Sequence, residues 1–190
     1  WFGSRAGEPG TTHQVIFKRQ DNTYQVSPLG PGEVLPDGPV RWNRYTRLEA
    51  FEALGIQEKS SFDRQTGIIE RPDQFVFFVT LDKAGREEDQ QYKDQFVSQR
   101  EFQWESQTRN HRDQKQPRKW SEDSDDIPIH LFVRKEAKTR GKTNPSIYVG
   151  QLKFIRWEGD RPIRVWWSLE EEVPERLWEE LGISGSYLGS

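Results

Sequence analysis

The longest uninterrupted apolar run in this 190-residue chain covers only five residues, Phe75 to Val79. Its side chains are aromatic or β-branched, which favours a short strand that is buried on both faces. A helix that crosses a membrane needs about 20 consecutive apolar residues, so the sequence predicts neither a transmembrane helix nor a membrane partner. We therefore expect short strands to provide much of the framework.

Three further segments have patterns that predict strands: Ile129 to Arg134, Ile147 to Trp157 and Arg161 to Leu169. Along the last of them, the apolar residues at every second position share one face of the strand. The adjacent pair Trp166-Trp167 then has one ring on each face. We expect one of these two rings to be exposed at the surface.

Helices are expected beside these strands. Thr46 and Glu49 have the capping-box spacing, which predicts a helix that begins there and ends at Gly55. Pro174 occupies a position typical of the first residue of a last helix. Together, the predicted elements indicate an α+β fold, a mostly antiparallel curled sheet or half-barrel with flanking helices.

Composition along the chain predicts three parts. Gly, Pro, Asn and Asp are frequent at the beginning, so residues 1–43 are predicted to form an N-terminal arm or linker with a short hairpin around Gln20-Asp21-Asn22. Residues 44–183 are predicted to form a single α+β domain, and residues 184–190 a flexible tail. Because the sequence contains no Met, we expect the chain to be a fragment of a longer protein.

Charge and cysteine content exclude several classes of function. The absence of Cys excludes disulfides, thiol catalysis and thiolate metal sites, and it fits a cytoplasmic location. A net charge of −3 excludes a uniformly basic nucleic-acid binder, so a binding site of that kind must be a local patch. The chain has eight Trp, five Tyr and eleven Phe, which predicts a lean core made of large residues.

Two local basic runs stand out against this net charge. The first contains Arg109, Arg112, Lys115, Arg118 and Lys119, and the second contains Arg134, Lys135, Lys138, Arg140 and Lys142. Dense cations on loops match the phosphate spacing of a nucleic-acid duplex, so these ten residues are predicted to contact phosphates. The alternative interpretation is two solvated loops without a partner.

Aromatic residues occur in the polar region between the predicted strands. Phe102, Trp104 and Trp120 are candidates for stacking on a base or for lining a pocket around a flipped one, with Gln103 and Gln107 reading the base edge. In the alternative, Phe102 and Trp104 simply face the core from one strand, because their spacing has the period of two. Spacing alone favours this alternative.

Signatures of catalysis are weak. The three His residues are scattered, and the Asp73, Glu136 and Lys138 set fits a metal-dependent nuclease only by combining residues far apart in the chain. The acidic cluster from Glu122 to Asp126 is more typical of a solvated loop than of a metal site. We predict no catalytic residue, no metal and no cofactor.

Several sequence blocks, in order and at suitable spacing, resemble one known family. They are Arg44-Tyr-Thr-Arg47, Ala53-Leu-Gly55, Phe77-Phe-Val-Thr-Leu-Asp-Lys83, Tyr92-Lys-Asp94, Phe102-Gln-Trp-Glu-Ser-Gln107, Leu131-Phe-Val-Arg134, Tyr148-Val-Gly150, Glu158-Gly-Asp-Arg-Pro162 and Val165-Trp-Trp-Ser-Leu169. Over about residues 44–181 the chain resembles a bacterial domain of unknown function that usually ends superfamily-2 DEAD/DEAH-box helicases, often ones with a phospholipase-D-like nuclease domain. The resemblance implies a helicase-associated domain in restriction-type defence systems, without a list of catalytic residues.

These observations lead to one main hypothesis and two rivals. The main hypothesis is a non-catalytic DNA-binding module, a reader of modified DNA that targets a restriction-type nuclease or helicase to a duplex. The leading rival is a protein-interaction or scaffold domain of a helicase, for which an exposed Trp166 or Trp167 and the acidic segment from Glu170 to Glu180 would be suitable. The third is a metal-dependent nuclease.

Overall fold

The computed structural model describes residues 15–20, 23–28, 38–82, 94–106, 111–122 and 126–184. The chain forms two compact units, residues 1–37 and residues 38–190. In the first unit, β1 (Val15–Gln20) and β2 (Thr23–Pro28) form an antiparallel hairpin. This confirms the hairpin that was predicted around Gln20-Asp21-Asn22.

The second unit is built on an eight-stranded sheet. Its strands are β3 (Arg44–Tyr45), β4 (Ile68–Glu70), β5 (Phe75–Thr80), β6 (Gln95–Phe96), β7 (Glu101–Glu105), β8 (Ile129–Arg134), β11 (Ser146–Glu158) and β12 (Arg164–Leu169). Two short strands, β9 (Lys138–Thr139) and β10 (Lys142–Thr143), form a separate hairpin between β8 and β11. The helices are α1 (Arg47–Ala53), α2 (Lys115–Glu122) and α3 (Trp178–Leu181), with 3-10 turns at Ser61–Arg64 and Glu175–Leu177.

The strand order is β4-β5-β8-β11-β12-β7-β6, and β3 also pairs with β11. All pairs are antiparallel except β5 with β8, in which Phe75 lies beside Ile129 and Thr80 beside Arg134. The long strand β11 pairs with β8 along its first part and with β12 along its second part. Register shifts interrupt it, one of them between Tyr148 and Gly150, and such bulges bend a strand. The sheet therefore curls into a half-barrel, which confirms the predicted α+β class.

Apolar side chains are buried on both faces of the sheet. On one face, the ring of Phe77 lies 5.7 Å from that of Trp120 on α2 and 5.8 Å from that of Trp167. On the other face, Val76 belongs to a cluster with Phe51 of α1. Strand β5 thus contributes to both cores, as the uninterrupted apolar run predicted.

Local signals determine the helix ends. The Thr46 hydroxyl accepts a hydrogen bond from the backbone N–H of Glu49, whose carboxylate in turn accepts one from the Thr46 N–H, so the predicted capping box is confirmed. Pro174 is the N-cap of the final 3-10 turn and not its first residue, so the turn begins one residue later than predicted. Among the described residues, no helix is long and apolar enough to cross a membrane.

Candidate nucleic-acid interface

Residues 135–143, here called the basic hairpin, connect β8 to β11. Within it β9 and β10 pair antiparallel, with Lys142 opposite Thr139. Arg140 and Gly141 form the two-residue turn and both have positive φ, 49° and 79°. Two consecutive residues with positive φ are typical of a type I′ turn, whose twist matches that of the flanking strands. The hairpin is therefore a regular two-stranded ribbon.

Side chains at the base of the basic hairpin fix its direction. Arg134 donates from Nε to the Thr80 hydroxyl at 3.0 Å and from Nη1 to the Asn144 carbonyl at 3.1 Å. The Asn144 amide donates to the Glu136 carbonyl and to the Thr139 hydroxyl. Arg134 was predicted to contact phosphate, but these bonds and its partial burial make it a support for the hairpin.

The other cations of this run extend into solvent. Lys135, Lys138, Arg140 and Lys142 are all exposed. Within the described part of the chain none of the four forms a salt bridge, and the one carboxylate of the hairpin, Glu136, is also exposed. The hairpin therefore presents four cations to solvent, and no salt bridge among the described residues neutralises them.

The cations of the first basic run are less accessible to a binding partner than those of the basic hairpin. Lys119 donates to the Glu70 carboxylate at 2.7 Å and Gln116 donates to its other oxygen at 2.9 Å. Burial raises the pKa of Glu70, but these hydrogen bonds outweigh it and hold the pKa below its usual value, so the carboxylate stays charged. Of the run's members on α2, Lys115 and Arg118 remain exposed, and Arg118 lies 3.7 Å from the Asp113 carboxylate.

Two other predicted members of this run have different outcomes. The backbone N–H of Arg112 donates to the Asp160 carboxylate at 2.9 Å, and its guanidinium lies 5.3 Å from the ring centre of Trp157. This contact ties the beginning of the run to the turn between β11 and β12. Arg109 lies outside the described residues, as does Gln107.

The structure does not bring the two basic runs into one patch. Lys119 lies 5.8 Å from the ring centre of Phe75, at the beginning of β5. The basic hairpin follows Arg134, which pairs with Thr80 at the end of β5. Since a strand rises about 3.3 Å per residue, roughly 16 Å separates the two ends. The described cations of the predicted ten-residue clamp therefore lie on two separate surfaces, at opposite ends of strands β5 and β8.

The aromatic residues that were predicted to stack on a base belong to the core. Phe102 and Trp120 are fully buried and Trp104 is 7% exposed. Gln103, beside them on β7, is also buried and accepts a hydrogen bond from Gln95. The prediction of an exposed stacking surface is wrong, because the period of two places Phe102 and Trp104 inside. Trp120 of α2 packs against Trp104 and Phe77, whose rings also contact each other.

The tryptophan pair and the acidic segment, which were predicted to suit a scaffold, also have contacts within the protein. Trp167 is fully buried, and Trp166 is only 7% exposed, with the Arg156 guanidinium 4.0 Å from the centre of its ring. The prediction that one of these rings is exposed is therefore wrong. Carboxylates of the acidic segment pair with arginines: Glu170 and Glu171 with Arg41, Glu172 with Arg100, and Glu180 with Arg44.

A comparison with known families identifies most of the second unit. The profile of DUF3427, a domain of unknown function, matches residues 40–181. The chain belongs to the DUF3427 family. A comparison with curated proteins gives no match. The family assignment agrees with the predicted resemblance to a domain of unknown function.

The nuclease set is dispersed in this DUF3427 domain. Asp73 precedes β5, whereas Glu136 and Lys138 follow β8, and these two strands run parallel in register. The carboxylates consequently lie at opposite ends of these two strands, on the order of 20 Å apart. Within the described residues, no three His, Asp or Glu side chains are grouped as a metal site.

The DUF3427 domain also contains a buried polar pair that the sequence analysis did not identify. His130 Nδ1 and the Tyr148 hydroxyl lie 2.9 Å apart, and both side chains are buried. Burial lowers the pKa of His130 to about 4 and raises that of Tyr148 to about 12, so both are neutral at pH 7. The sequence signal for the pair is the position of His130 within the apolar part of β8, between Ile129 and Leu131.

This pair predicts a pH dependence of stability. The unfolded chain binds a proton at His130 below pH 6.5 and the native state only near pH 4, so stability should fall as pH decreases through this window. The shift corresponds to about 3 kcal/mol by pH 4. Denaturant titrations by circular dichroism between pH 7 and pH 4 measure the effect. His130→Gln should remove most of this slope, and the control His111→Gln should leave it unchanged; equal slopes in all three proteins would contradict the prediction.

Proposed function

We propose that this DUF3427 domain is a non-catalytic DNA-binding module whose main phosphate contact is the basic hairpin. The observation that carries the proposal is the exposed set of Lys135, Lys138, Arg140 and Lys142 on a ribbon with fixed backbone. Release of condensed counterions from phosphates favours binding by such a cluster, even in a chain with a net charge of −3. The fixed base reduces the ordering that binding requires.

The proposed cellular role is to direct a helicase or a restriction-type nuclease to DNA in the bacterial cytoplasm. Support for it comes from the sequence blocks described above, which resemble a domain at the end of such helicases. Because Phe102, Trp104 and Trp120 lie in the core, the proposal assigns binding to phosphate contacts and no base reading to these rings. Recognition of modified DNA would require other residues.

A salt titration tests the phosphate contacts. Lys138→Gln combined with Lys142→Gln should reduce the slope of log K against log salt by about 1.8, since each phosphate contact contributes about 0.9. Fluorescence anisotropy with a labelled 20-base-pair duplex, at four salt concentrations, measures this slope.

Two matched double variants remove the same charge elsewhere. Lys59→Gln with Arg176→Gln replaces two exposed cations outside both basic runs and should not change the slope. Lys115→Gln with Arg118→Gln tests the exposed cations of the first basic run, on α2. An unchanged slope in the hairpin variant would show that the basic hairpin does not contact phosphate. Absence of salt-sensitive binding in the unsubstituted protein would reject the proposed function and favour a scaffold role.

A further inference from the structure

We infer that the basic hairpin enters the major groove of a DNA duplex tip first, with Arg140 at the base edges and the lysines on the phosphates at either side. This inference rests on the proposed function and specifies the form of the nucleic acid and the groove. Three observations support it: the dimensions of the ribbon, the distribution of its cations and the backbone of its turn.

The dimensions of the ribbon fit the major groove. The Asn144 N–H donates to the Ala137 carbonyl, and three residues on each strand lie between this bond and the end of the turn. At about 3.3 Å per residue the ribbon projects roughly 10 Å, and one sheet layer with its side chains is about 10 Å thick. The major groove is about 12 Å wide and 8.5 Å deep, whereas the minor groove is about 6 Å wide.

The cations are distributed on both faces of the ribbon and at its tip. Lys138 lies opposite Thr143 and Lys142 opposite Thr139. Directly opposed residues share a face and successive residues alternate, so the two lysines lie on opposite faces. In a groove entered tip first, each face meets one of the two phosphate strands. Arg140, in the turn, is then the cation nearest the floor of the groove.

The backbone of the turn is unusual at one position. Type I′ turns favour Asn, Asp or Gly at both central residues because both have positive φ, and Gly141 follows this preference. Arg140 does not, although its φ is 49°. Departures from local preference concentrate at functional sites, and an arginine is the side chain that most often makes a specific contact with guanine in the major groove.

The variant Arg140→Asn separates binding from stability. Asparagine adopts positive φ more readily than arginine, so the midpoint of thermal unfolding should stay the same or rise. Affinity for the duplex should fall about tenfold, because the contact at the groove floor is lost. Unchanged affinity in a folded Arg140→Asn protein would overturn the inference.

Modified duplexes identify the groove. The probes are a 20-base-pair duplex, the same duplex with glucosylated 5-hydroxymethylcytosine, the same duplex saturated with netropsin, and the matching single strand. Glucose groups fill the major groove and should weaken binding at least tenfold, netropsin in the minor groove should have no effect, and the single strand should bind more weakly than the duplex. Equal affinity for the glucosylated and plain duplexes, or loss of binding with netropsin, would reject entry into the major groove.

These outcomes are distinct from failure of the proposed function. If the plain duplex binds with a salt-sensitive affinity but glucose has no effect, phosphate binding stands and groove entry is wrong. If neither duplex nor single strand binds, the proposed function fails and this inference fails with it.

Discussion

Replacement of Trp120 by alanine is expected to lower the free energy of unfolding by about 4 kcal/mol, the largest effect of a single substitution that we predict. Trp120 is fully buried, and its ring makes edge contacts with Phe77 at 5.7 Å and with Trp104 at 5.2 Å between centres. Removal of the indole leaves a cavity between α2 and the sheet. Denaturant unfolding followed by circular dichroism measures the loss.

Two control variants define the cause of this effect. Trp120→Phe should cost about 1–2 kcal/mol, because an aromatic ring still fills part of the space. The indole Nε1 has no hydrogen-bond partner among the described residues, so this variant breaks no polar contact there. Lys115→Gln, on the exposed side of α2, should not change stability. A fully stable Trp120→Ala protein that has lost DNA binding would instead restore the base-stacking interpretation of this residue.

Replacement of Asp63 by alanine is expected to cost about 3 kcal/mol. Its carboxylate accepts hydrogen bonds from Arg71 at 2.7 Å and from the Lys59 N–H at 2.8 Å, and both side chains of the ion pair are about 90% buried. Arg71 also donates to the carbonyls of Gln57 and Glu70, so its charge cannot move into solvent without breaking these bonds. Loss of the carboxylate leaves that charge buried without its counterion.

The pH dependence of the Asp63 effect has a definite sign. The hydrogen bond from the Lys59 N–H and the pairing with Arg71 lower the pKa of Asp63. Its contribution is therefore complete above the ordinary pKa near 4 and is lost as pH falls below it. The difference in unfolding free energy between the native protein and Asp63→Ala should shrink at pH 3, as measured by urea titration at pH 7 and pH 3.

An exposed ion pair provides the control for Asp63. Glu58→Gln breaks the contact with Arg64, whose side chain is 60% exposed, and should have no measurable effect on stability. Equal losses in the two variants would contradict the distinction between buried and exposed pairs in this domain.

Much of the secondary structure follows from local signals. The capping box of Thr46 and Glu49, the apolar run of β5 and the limits of β8 were predicted correctly. Each depends on residues a few positions apart, where backbone sterics and hydrogen bonding select the conformation. The predicted curled sheet is also confirmed, although sequence pattern gave no indication that β5 and β8 pair in parallel.

The candidate site was predicted only in part. The sequence identified the cations of the basic hairpin, but it also assigned equal roles to Arg134 and Lys119, which the fold uses to hold Thr80 and Glu70. A run of charges shows where cations are along the chain and not which carboxylate or hydroxyl will meet them. These partners come from strands about 50 residues away in sequence, as the separations of 49 and 54 residues show.

The sequence by itself determined the α+β class, the helix cap at Thr46 and the positions of the two basic runs. The tertiary structure decided that Phe102, Trp104 and Trp120 are core residues and that the two basic runs lie at opposite ends of strands β5 and β8. The physical reason is that local conformation depends on neighbouring residues, whereas burial and charge pairing depend on which strands meet when the sheet curls. Among the described members of the ten predicted phosphate contacts, the basic hairpin holds four exposed cations that form no salt bridge, whereas Lys119 and Arg118 of the first run pair with carboxylates.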